Sequence, residues 1–324
     1  MIMTLLVTGG AGFIGSHLVK KLVESGESVI VVDNLSTGKK EYVDSRAKLV
    51  VCDIRDKELE GVFRENEIEL VAHLASQTDV SASIEDPVSD GDVNVLGTLN
   101  LLELCRKYDV KKIVFTSSAA VYGEPRYLPV DEKHELAPIS PYGCSKLAVE
   151  TYLAYYHRLY GIDFVVLRLA NVYGPKQSKG VVKEFIERLL KGESPVIYGD
   201  GKQTRDFVYV DDVVNAIVLA MERKTRRKQM NIATCKGTSV LDLLQTLQRM
   251  LASRVEPIFM PARKEIRRCY FSYELAKNEL GWEPRVELRE GLRKTILWHC
   301  ERAIDSILSE VARLRKLIKG LSAI

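Results

Sequence analysis

The chain has 324 residues, of which 46% are hydrophobic, and its formal net charge at pH 7 is +3. This length and apolar content suffice for a large core and more than one lobe. The balanced charge gives no sign of the clustered basic surface that nucleic-acid binding requires. Six scattered cysteines without Cys-x-x-Cys spacing predict no metal site and are typical of reduced thiols in a cytoplasmic protein. No apolar run reaches the length of a membrane span.

Apolar runs typical of buried strands alternate with helical patterns through the first half of the chain. Ile2–Val7 is too short for a membrane span and leads directly into a glycine motif, so it predicts a first strand and not a signal peptide. The strands are continuously apolar, which predicts a parallel α/β sheet that is doubly wound, with helices on both faces. The further predicted strands are Ser28–Val32, Lys48–Val51, Leu70–Leu74, Lys112–Thr116 and Asp163–Leu169. The predicted helices are Gly15–Ser25, Val95–Tyr108 and Ser145–Tyr160.

Glycine and proline loops interrupt this rhythm after the last of those strands. We therefore expect a first domain over residues 1–170, to which a later segment at about 205–235 returns. A smaller C-terminal substrate-binding lobe is expected over residues 171–298, followed by an extension over 299–324. The basic run at 223–228 is typical of a solvated loop.

The final pattern, from about Leu288, predicts one long helix. Within it, apolar residues recur at alternating spacings of four and three, as in a heptad seam: Cys300, Ile304, Ile307, Val311, Leu314, Ile318 and Leu321. Packing against the chain's own domain and contact with an oligomer partner explain such a seam equally well. The basic end of the helix leaves interfacial membrane association as a third alternative.

A glycine-rich turn lies between the first predicted strand and the first predicted helix. Within Thr8–Leu18, the glycines at 9, 12 and 15 remove side chains where the chain must turn sharply and where phosphate would approach the backbone. The free N–H groups and positive dipole end of the following helix favour that phosphate. Gly9, Gly12 and Gly15 therefore predict a dinucleotide site.

A carboxylate follows the second predicted strand, at Asp33, where ribose recognition is expected. A carboxylate accepts hydrogen bonds from a 2′-hydroxyl and repels a 2′-phosphate, so we predict NAD and not NADP, although Lys39 and Lys40 lie nearby. Asp53, after the third strand, is a candidate for the adenine amino group or for a helix cap.

A tyrosine and a lysine, Tyr142 and Lys146, are four residues apart at the start of a predicted helix. This spacing places both side chains on one helix face. The lysine charge favours the tyrosinate, which can act as a base. The pair follows the glycine motif and the strand that ends in Thr116-Ser117-Ser118.

Together these motifs resemble an extended short-chain dehydrogenase/reductase with a Rossmann-type fold. The similarity is greatest to the nucleotide-sugar epimerases of the UDP-galactose 4-epimerase group and extends from about Met1 to Trp298. The motifs that carry it are Thr8–Gly15, Asp33–Ser36, Asp53-Ile54, His73–Ala75, Thr116–Gly123, Tyr142–Lys146, Arg168–Pro175, Arg205–Asp212 and Leu280–Pro284.

The resemblance implies that Tyr142 exchanges the proton of the sugar 4-hydroxyl, that Ser118 relays it, and that Lys146 holds the nicotinamide ribose. Hydride would leave C4 for NAD and return to the other face of a transient 4-keto sugar. Beyond the three glycines, the implied NAD contacts are Phe13, Ile14, Asp33, Asn34, Ser36, Thr37, Gly38, Asp53, Ile54, Leu74, Ala75, Asn94, Thr116, Tyr142 and Lys146.

Two alanines help to choose between the reactions of this superfamily. Relatives that dehydrate nucleotide sugars carry an Asp-Glu pair just after the strand-end Ser or Thr, where this chain has Ala119 and Ala120. Related decarboxylases usually carry a Glu there. Because alanine cannot transfer protons, the sequence favours epimerisation.

The resemblance also implies a set of contacts with a UDP-sugar. Arg205 and Arg263 would grip the diphosphate, and Asn171 would bind a phosphate oxygen or a sugar hydroxyl. Val181, Tyr198 and Gly199 would surround uracil and ribose. Cys269 falls near the position that limits bulk at the sugar C2, and its small side chain leaves room for an N-acetyl group.

Departures and alternatives remain. Lys264-Glu265 stands where the family usually has Pro-Gly, with a residue missing, and Ser272 replaces an Asp. The alternative functions are a UDP-glucuronate or UDP-N-acetylglucosamine 4-epimerase, a dehydratase or reductase, and a non-catalytic NAD-binding scaffold. We also expect a homodimer.

Overall fold

A computed structural model describes residues 4–225, 228–263 and 265–321. The strands are β1 (Thr4–Thr8), β2 (Ser28–Asp33), β3 (Lys48–Val51), β4 (Leu70–His73), β5 (Lys112–Ser118), β6 (Asp163–Leu169), β7 (Asn171–Tyr173), β8 (Val196–Tyr198), β9 (Thr204–Tyr209), β10 (Gln229–Ile232), β11 (Gly237–Ser239) and β12 (Ile258–Met260). The helices are α1 (Phe13–Glu24), α2 (Leu59–Glu65), α3 (Val80–Glu85), α4 (Pro87–Gly91), α5 (Gly97–Lys107), α6 (Pro141–Tyr160), α7 (Val181–Lys191), α8 (Val210–Glu222), α9 (Val240–Met250), α10 (Glu274–Leu280) and α11 (Leu288–Leu321).

Seven strands form the central sheet, in the order β10-β6-β5-β4-β1-β2-β3. Every neighbouring pair is parallel. The strand order reverses at β1, between β2 and β4, and a crevice opens at such a point beyond the carboxyl ends of the strands. The predicted α/β fold with a doubly wound parallel sheet is confirmed.

Helices cover both faces of this sheet, which explains why its strands are continuously apolar. On β1, Leu5 and Val7 belong to the core shared with α1 and α8, whereas Leu6 belongs to the core shared with α2, α5 and α6. All three side chains are almost fully buried, and burying each contributes about 1.5–3 kcal/mol.

The second half of the chain builds two smaller sheets and also returns to the large one. β11, β9 and β7 form a three-stranded sheet, and β12 pairs with β8. β10 lies beside β6 as the outermost strand of the central sheet. Since β9 belongs to the smaller sheet, only part of the 205–235 segment joins the large one.

The helix that carries the tyrosine–lysine pair begins four residues earlier than the predicted Ser145. Ser140 caps it by accepting a hydrogen bond from Gly143 N–H at 3.1 Å, and Pro141 occupies the first turn, where a missing N–H costs nothing. Tyr142 therefore lies in the first turn, directly beside the end of β5.

The long C-terminal helix predicted from about Leu288 is confirmed as α11. Leu292 is buried and Cys300 packs against the main core, but Ile304 and Ile307 are 56% and 64% exposed. The side chains of Val311, Leu314, Ile318 and Leu321 lie outside the described part of the chain, so the function of the seam stays a prediction. No helix within the described ranges is long and apolar enough to cross a membrane.

Trp282 anchors the segment before α11, since it is 1% exposed and its indole N–H donates to Asp212 O at 2.9 Å. We expect Trp282→Ala to lower the free energy of unfolding by about 3–5 kcal/mol, measured by urea denaturation. The half-buried Trp298 is the matched control, and its alanine variant loses much less. Equal losses for both variants would contradict this packing.

Candidate active site

The turn between β1 and α1 passes so close to β4 that glycine is required. Gly9 has a φ of +71°, and a Cβ there would lie 2.7 Å from Ala75 N. A Cβ on Gly15 would lie 2.1 Å from Gly9 O. Both contacts are with backbone, which cannot move aside cheaply. The turn is thus held tightly at the crevice beyond the carboxyl ends of β1 and β4.

The first turn of α1 points free donors into this crevice. Gly12 is the N-cap and supplies no side-chain cap, and the first helical bond runs from Ser16 N–H to Gly12 O. The N–H groups of Phe13, Ile14 and Gly15 therefore have no intrahelical acceptor. Three free donors at a positive dipole end fit the diphosphate of a dinucleotide.

Asp33 is placed at the adjoining strand end, where it can recognise ribose. It is 7% exposed and accepts hydrogen bonds from Ala11 N–H at 2.9 Å and Leu35 N–H at 2.8 Å. Each carboxylate oxygen keeps acceptor capacity for a hydroxyl. Gly38 closes the loop over it, because a Cβ there would lie 2.8 Å from Asp33 Oδ1.

The Asp53 carboxylate is already hydrogen-bonded to two side chains of the protein, which the sequence does not indicate. It accepts hydrogen bonds from the Arg55 side chain at 2.8 Å and from Asn34 Nδ2 at 2.7 Å. The hydrogen bonds from Arg55 hold the pKa of the Asp53 carboxyl well below its ordinary value. The nearest following helix, α2, has Glu58 as its N-cap, so the helix-cap alternative for Asp53 is wrong. Ile54 is buried, while Ser36 and Thr37 are exposed in the loop.

The far wall of the crevice is fixed by Thr8, whose hydroxyl accepts hydrogen bonds from Leu74 N–H at 3.3 Å and Ala75 N–H at 3.2 Å. Asn94 lies behind this wall in a π-helical turn, 2% exposed. Its amide bonds Gln77, Asp90 and Ser145. Its side chain therefore braces the wall from behind.

The three predicted catalytic residues come together where β5 ends and α6 begins. The Ser118 hydroxyl is a neighbour of the Tyr142 phenol and lowers its pKa, and Lys146 Nζ lies 5.8 Å from the centroid of the Tyr142 ring. Lys146 donates to Thr116 O and to Ser76 Oγ, both at 3.0 Å. The Tyr142 phenol, the Ser118 hydroxyl and the Lys146 ammonium thus lie together in one corner of the site, which we call the catalytic corner.

Burial dominates the protonation of this corner. It raises the pKa of Tyr142 to about 12, against a smaller lowering by the Ser118 hydrogen bond. Burial also lowers the pKa of Lys146 to about 7, although the charges of Asp90 and Glu150 raise it by a smaller amount. In the protein by itself, Tyr142 is therefore a neutral phenol, and the tyrosinate needs additional positive charge beside it.

Several residues that build this corner were missed by sequence reasoning. Glu150 and Arg168, each 4% exposed, form a buried ion pair at 2.6 Å between α6 and β6, and Ser117 donates to Glu150 at 2.6 Å. Gly143 packs the helix start against the turn after β5, since a Cβ there would lie 2.7 Å from Ala120 O. These contacts are distant in sequence and carry no local pattern.

The predicted substrate residues form a second group on the smaller sheets. The Arg263 guanidinium lies 3.4 Å from the centroid of the Tyr198 ring, and Gly199 follows directly. Arg205 forms an ion pair with Glu265, a residue that sequence analysis did not assign, and donates to Ile266 O at 2.8 Å.

Cys269 is 6% exposed within a small apolar cluster. Its thiol donates to Thr204 O at 3.7 Å, and burial raises its pKa to about 11. Asn171, at the start of β7, is exposed, and Val181, at the start of α7, is half-buried. In the described ranges, no group of three or more His, Cys, Asp and Glu could hold a metal ion.

A family model described as the NAD dependent epimerase/dehydratase family matches residues 5–233. The chain belongs to this family. The resemblance drawn from its motifs is therefore confirmed, and NAD is the cofactor that the glycine turn and Asp33 fit.

Three relatives show how far the similarity extends. The UDP-glucose 4-epimerase of Thermotoga maritima, solved with UDP-glucose, has a TM-score of 0.91 and 46% identity over 93% of this chain and 100% of its own. The UDP-glucose 4-epimerase of Thermus thermophilus, solved with NAD, has a TM-score of 0.87 and 42% identity over 91% of this chain and 98% of its own. The UDP-glucose 4-epimerase of Mycolicibacterium smegmatis is 41% identical over 91% of this chain and 97% of its own.

We expect Gly15→Ala to reduce the NAD that copurifies with the protein by at least about tenfold, because even a methyl group displaces the turn that receives the diphosphate. NAD released by denaturation is measured by chromatography. Gly61→Ala is the matched control on α2, where a Cβ meets only the end of the Arg64 side chain at 3.8 Å. This control keeps its NAD, and loss from both variants would contradict the assignment.

Proposed function

We propose that this protein is an NAD-dependent epimerase that inverts C4 of a UDP-hexose, interconverting UDP-glucose and UDP-galactose. The observation that carries the proposal is the shared corner of Ser118, Tyr142 and Lys146 beside the cofactor crevice. The similarity of the chain to UDP-glucose 4-epimerases supports UDP-glucose as the substrate. The central sheet, including β10, serves as the NAD domain, and the smaller sheets serve as the substrate lobe.

Each residue of the corner has a distinct task. Tyr142, as tyrosinate, accepts the proton of the sugar 4-hydroxyl, and Ser118 bridges the two oxygens. Lys146 holds the nicotinamide ribose and adds positive charge beside the phenol. When bound, NAD supplies the hydride acceptor at C4 and a further positive charge that favours the tyrosinate. Inversion would be completed by return of the hydride to the opposite face of a 4-keto sugar that has turned over, and Tyr142 would return the proton to the 4-oxygen.

The turn after Ser118 limits the reaction to this oxidation and reduction. Ala119 and Ala120 begin the 3₁₀ turn that follows β5, where a dehydratase would need an acid and a base. Alanine can neither donate nor accept a proton, so loss of the 6-hydroxyl receives no assistance. Dehydratase and decarboxylase activities are therefore disfavoured.

The substrate lobe offers two cations to a diphosphate. Arg263 and Arg205 supply guanidinium groups suited to phosphate oxygens, with Tyr198, Gly199, Val181 and Asn171 around the nucleoside and sugar. Glu265 holds Arg205 in the protein by itself, so diphosphate binding must compete with this carboxylate. The small buried side chain of Cys269 supports acceptance of N-acetylhexosamine substrates as a second activity.

Incubation of the purified protein with UDP-glucose, without added NAD, tests the activity. We expect UDP-galactose to form, and Tyr142→Phe to lower kcat by about 10²–10⁴-fold, because the phenyl ring cannot carry the proton. Products are separated by chromatography over a panel that includes UDP-N-acetylglucosamine and UDP-glucuronate. Tyr160→Phe, at the exposed end of the same helix, is the control. A 4-keto-6-deoxy product, or full turnover by Tyr142→Phe, would reject the proposal.

We also propose that the protein is a cytoplasmic homodimer that pairs through α6. Tyr152, Tyr155 and Leu159 are exposed on this helix, and their spacing places them on one face. Leu96, just before the neighbouring α5, is exposed as well. All six cysteines are free, as is usual in the cytoplasm.

Sedimentation analysis of Tyr155→Glu/Leu159→Glu tests this pairing. Two carboxylates on the apolar face oppose its burial against a second copy, so we expect the double variant to be monomeric. Leu190→Glu, an exposed leucine on α7, is the control and leaves the dimer intact. A monomeric wild-type protein, or a double variant that stays dimeric, would contradict the pairing.

A further inference from the structure

A buried carboxylate that the proposed chemistry does not use lies behind the catalytic corner. Asp90, on α4, is 1% exposed. Its Oδ1 accepts hydrogen bonds from Gln77 Nε2 at 3.0 Å and Asn94 Nδ2 at 3.1 Å. Its Oδ2 is buried without a hydrogen-bond partner among the described residues. An ionised carboxylate is rarely buried unless an opposite charge compensates it.

The nearby charge that needs compensation is the ammonium of Lys146. This side chain is 2% exposed, and its two hydrogen-bond partners, Ser76 Oγ and Thr116 O, are neutral. α4 packs directly against α6, and Asn94 joins the two helices because its amide donates both to Asp90 and to Ser145, the residue before Lys146. The Asp90 carboxylate acts electrostatically on the Lys146 ammonium. Two buried groups of opposite charge, neither in an ion pair with any described residue, thus lie on helices that contact each other.

The other carboxylate that acts on Lys146 is already neutralised. Glu150 is bound by the Arg168 guanidinium at 2.6 Å and also accepts the Ser117 hydroxyl. The remaining titratable neighbours carry no charge at neutral pH. Burial lowers the pKa of His73 to about 3 and raises that of Tyr142 to about 12. Among the residues that the structure describes, Asp90 is therefore left as the uncompensated negative charge that acts on Lys146.

We propose that Asp90 is the counter-ion of Lys146, a positioning residue that keeps the ammonium charged and in place for its work beside Tyr142. It acts through the lysine, and it does not contact the reacting atoms. The consequence for protonation follows from burial, which already lowers the pKa of Lys146 to about 7 while Asp90 raises it. Without Asp90 the lysine would lose its proton at a lower pH.

The rival explanation is that Asp90 only supplies hydrogen bonds. Asn94, which donates to Asp90, also donates to Ser145 Oγ at 3.1 Å, and Ser145 in turn donates to Tyr142 O at 3.0 Å. Asp90→Asn separates the two explanations, because the amide oxygen still accepts from Gln77 and Asn94 while the charge is lost. Only the counter-ion proposal predicts an electrostatic effect.

The first test is the pH profile of kcat, and this arm rests on the proposed function. Asp90→Asn moves the alkaline limb to lower pH by roughly one unit, because an uncompensated buried ammonium deprotonates earlier. The acid limb moves in the same direction, since Asp90 also raises the pKa of Tyr142. Glu85→Gln, an exposed carboxylate on α3, is the control and shifts neither limb. An unshifted profile for Asp90→Asn would overturn the proposal.

The second test needs no activity, so it separates a failure of this inference from a failure of the proposed function. In saturating NAD, Asp90→Asn lowers the urea midpoint of the wild-type protein, because Lys146 loses its counter-ion. In the Lys146→Met background it raises the midpoint, because it removes an unpaired buried charge. If Asp90→Asn alone does not fold, the double variant folds. The same effect in both backgrounds, or an unfolded double variant, shows a merely structural role and overturns the proposal.

Discussion

The cost of burying the Lys146 ammonium is the constraint on which the arrangement of the site depends. An ammonium removed from water loses several kcal/mol of solvation unless other groups replace it. Here the replacement comes from Thr116 O on β5, from Ser76 after β4 and from the Asp90 carboxylate on α4, while the lysine itself lies on α6. Four segments distant in sequence must therefore meet within one small volume before the lysine can stay charged.

The same meeting of segments sets the geometry of the reaction. β5 delivers Ser118 at its carboxyl end, and α6 begins beside it because Ser140 caps the helix and Gly143 permits close packing. The Glu150–Arg168 pair ties α6 to β6. The crevice at the carboxyl ends of β1 and β4 then brings the dinucleotide to the same edge of the sheet. A corner that is buried and rigid lets a neutral phenol become a base only when positive charge is brought beside it.

Patterns local in sequence could be predicted, and contacts distant in sequence could not. The glycine turn, Asp33, and the Tyr142 and Lys146 pair each follow from spacing within a few residues, and the structure places all of them at one crevice. Asp90 and Glu150 carry no such signal, because the residues with which they interact lie far away in sequence on other elements. The proposed partner of Asp90, Lys146, is 56 positions away, and Arg168 is 18 positions from Glu150. The role predicted for Arg205, binding of the diphosphate, stays a prediction, and its ion-pair partner Glu265 lies in the departure from the family pattern. The start of α6 was placed late because capping by Ser140 outweighs the apolar period.

In the proposed reaction, C4 is inverted by removal and return of the same hydrogen. UDP-glucose carrying deuterium at C4, incubated with the purified protein, tests this directly by mass spectrometry and NMR of the UDP-galactose formed. We expect full retention of deuterium at C4, and no uptake at that carbon when unlabelled substrate reacts in D₂O. Washout of the label, or uptake from D₂O, would show that a carbon-bound proton exchanges with solvent and would contradict hydride transfer to the bound cofactor.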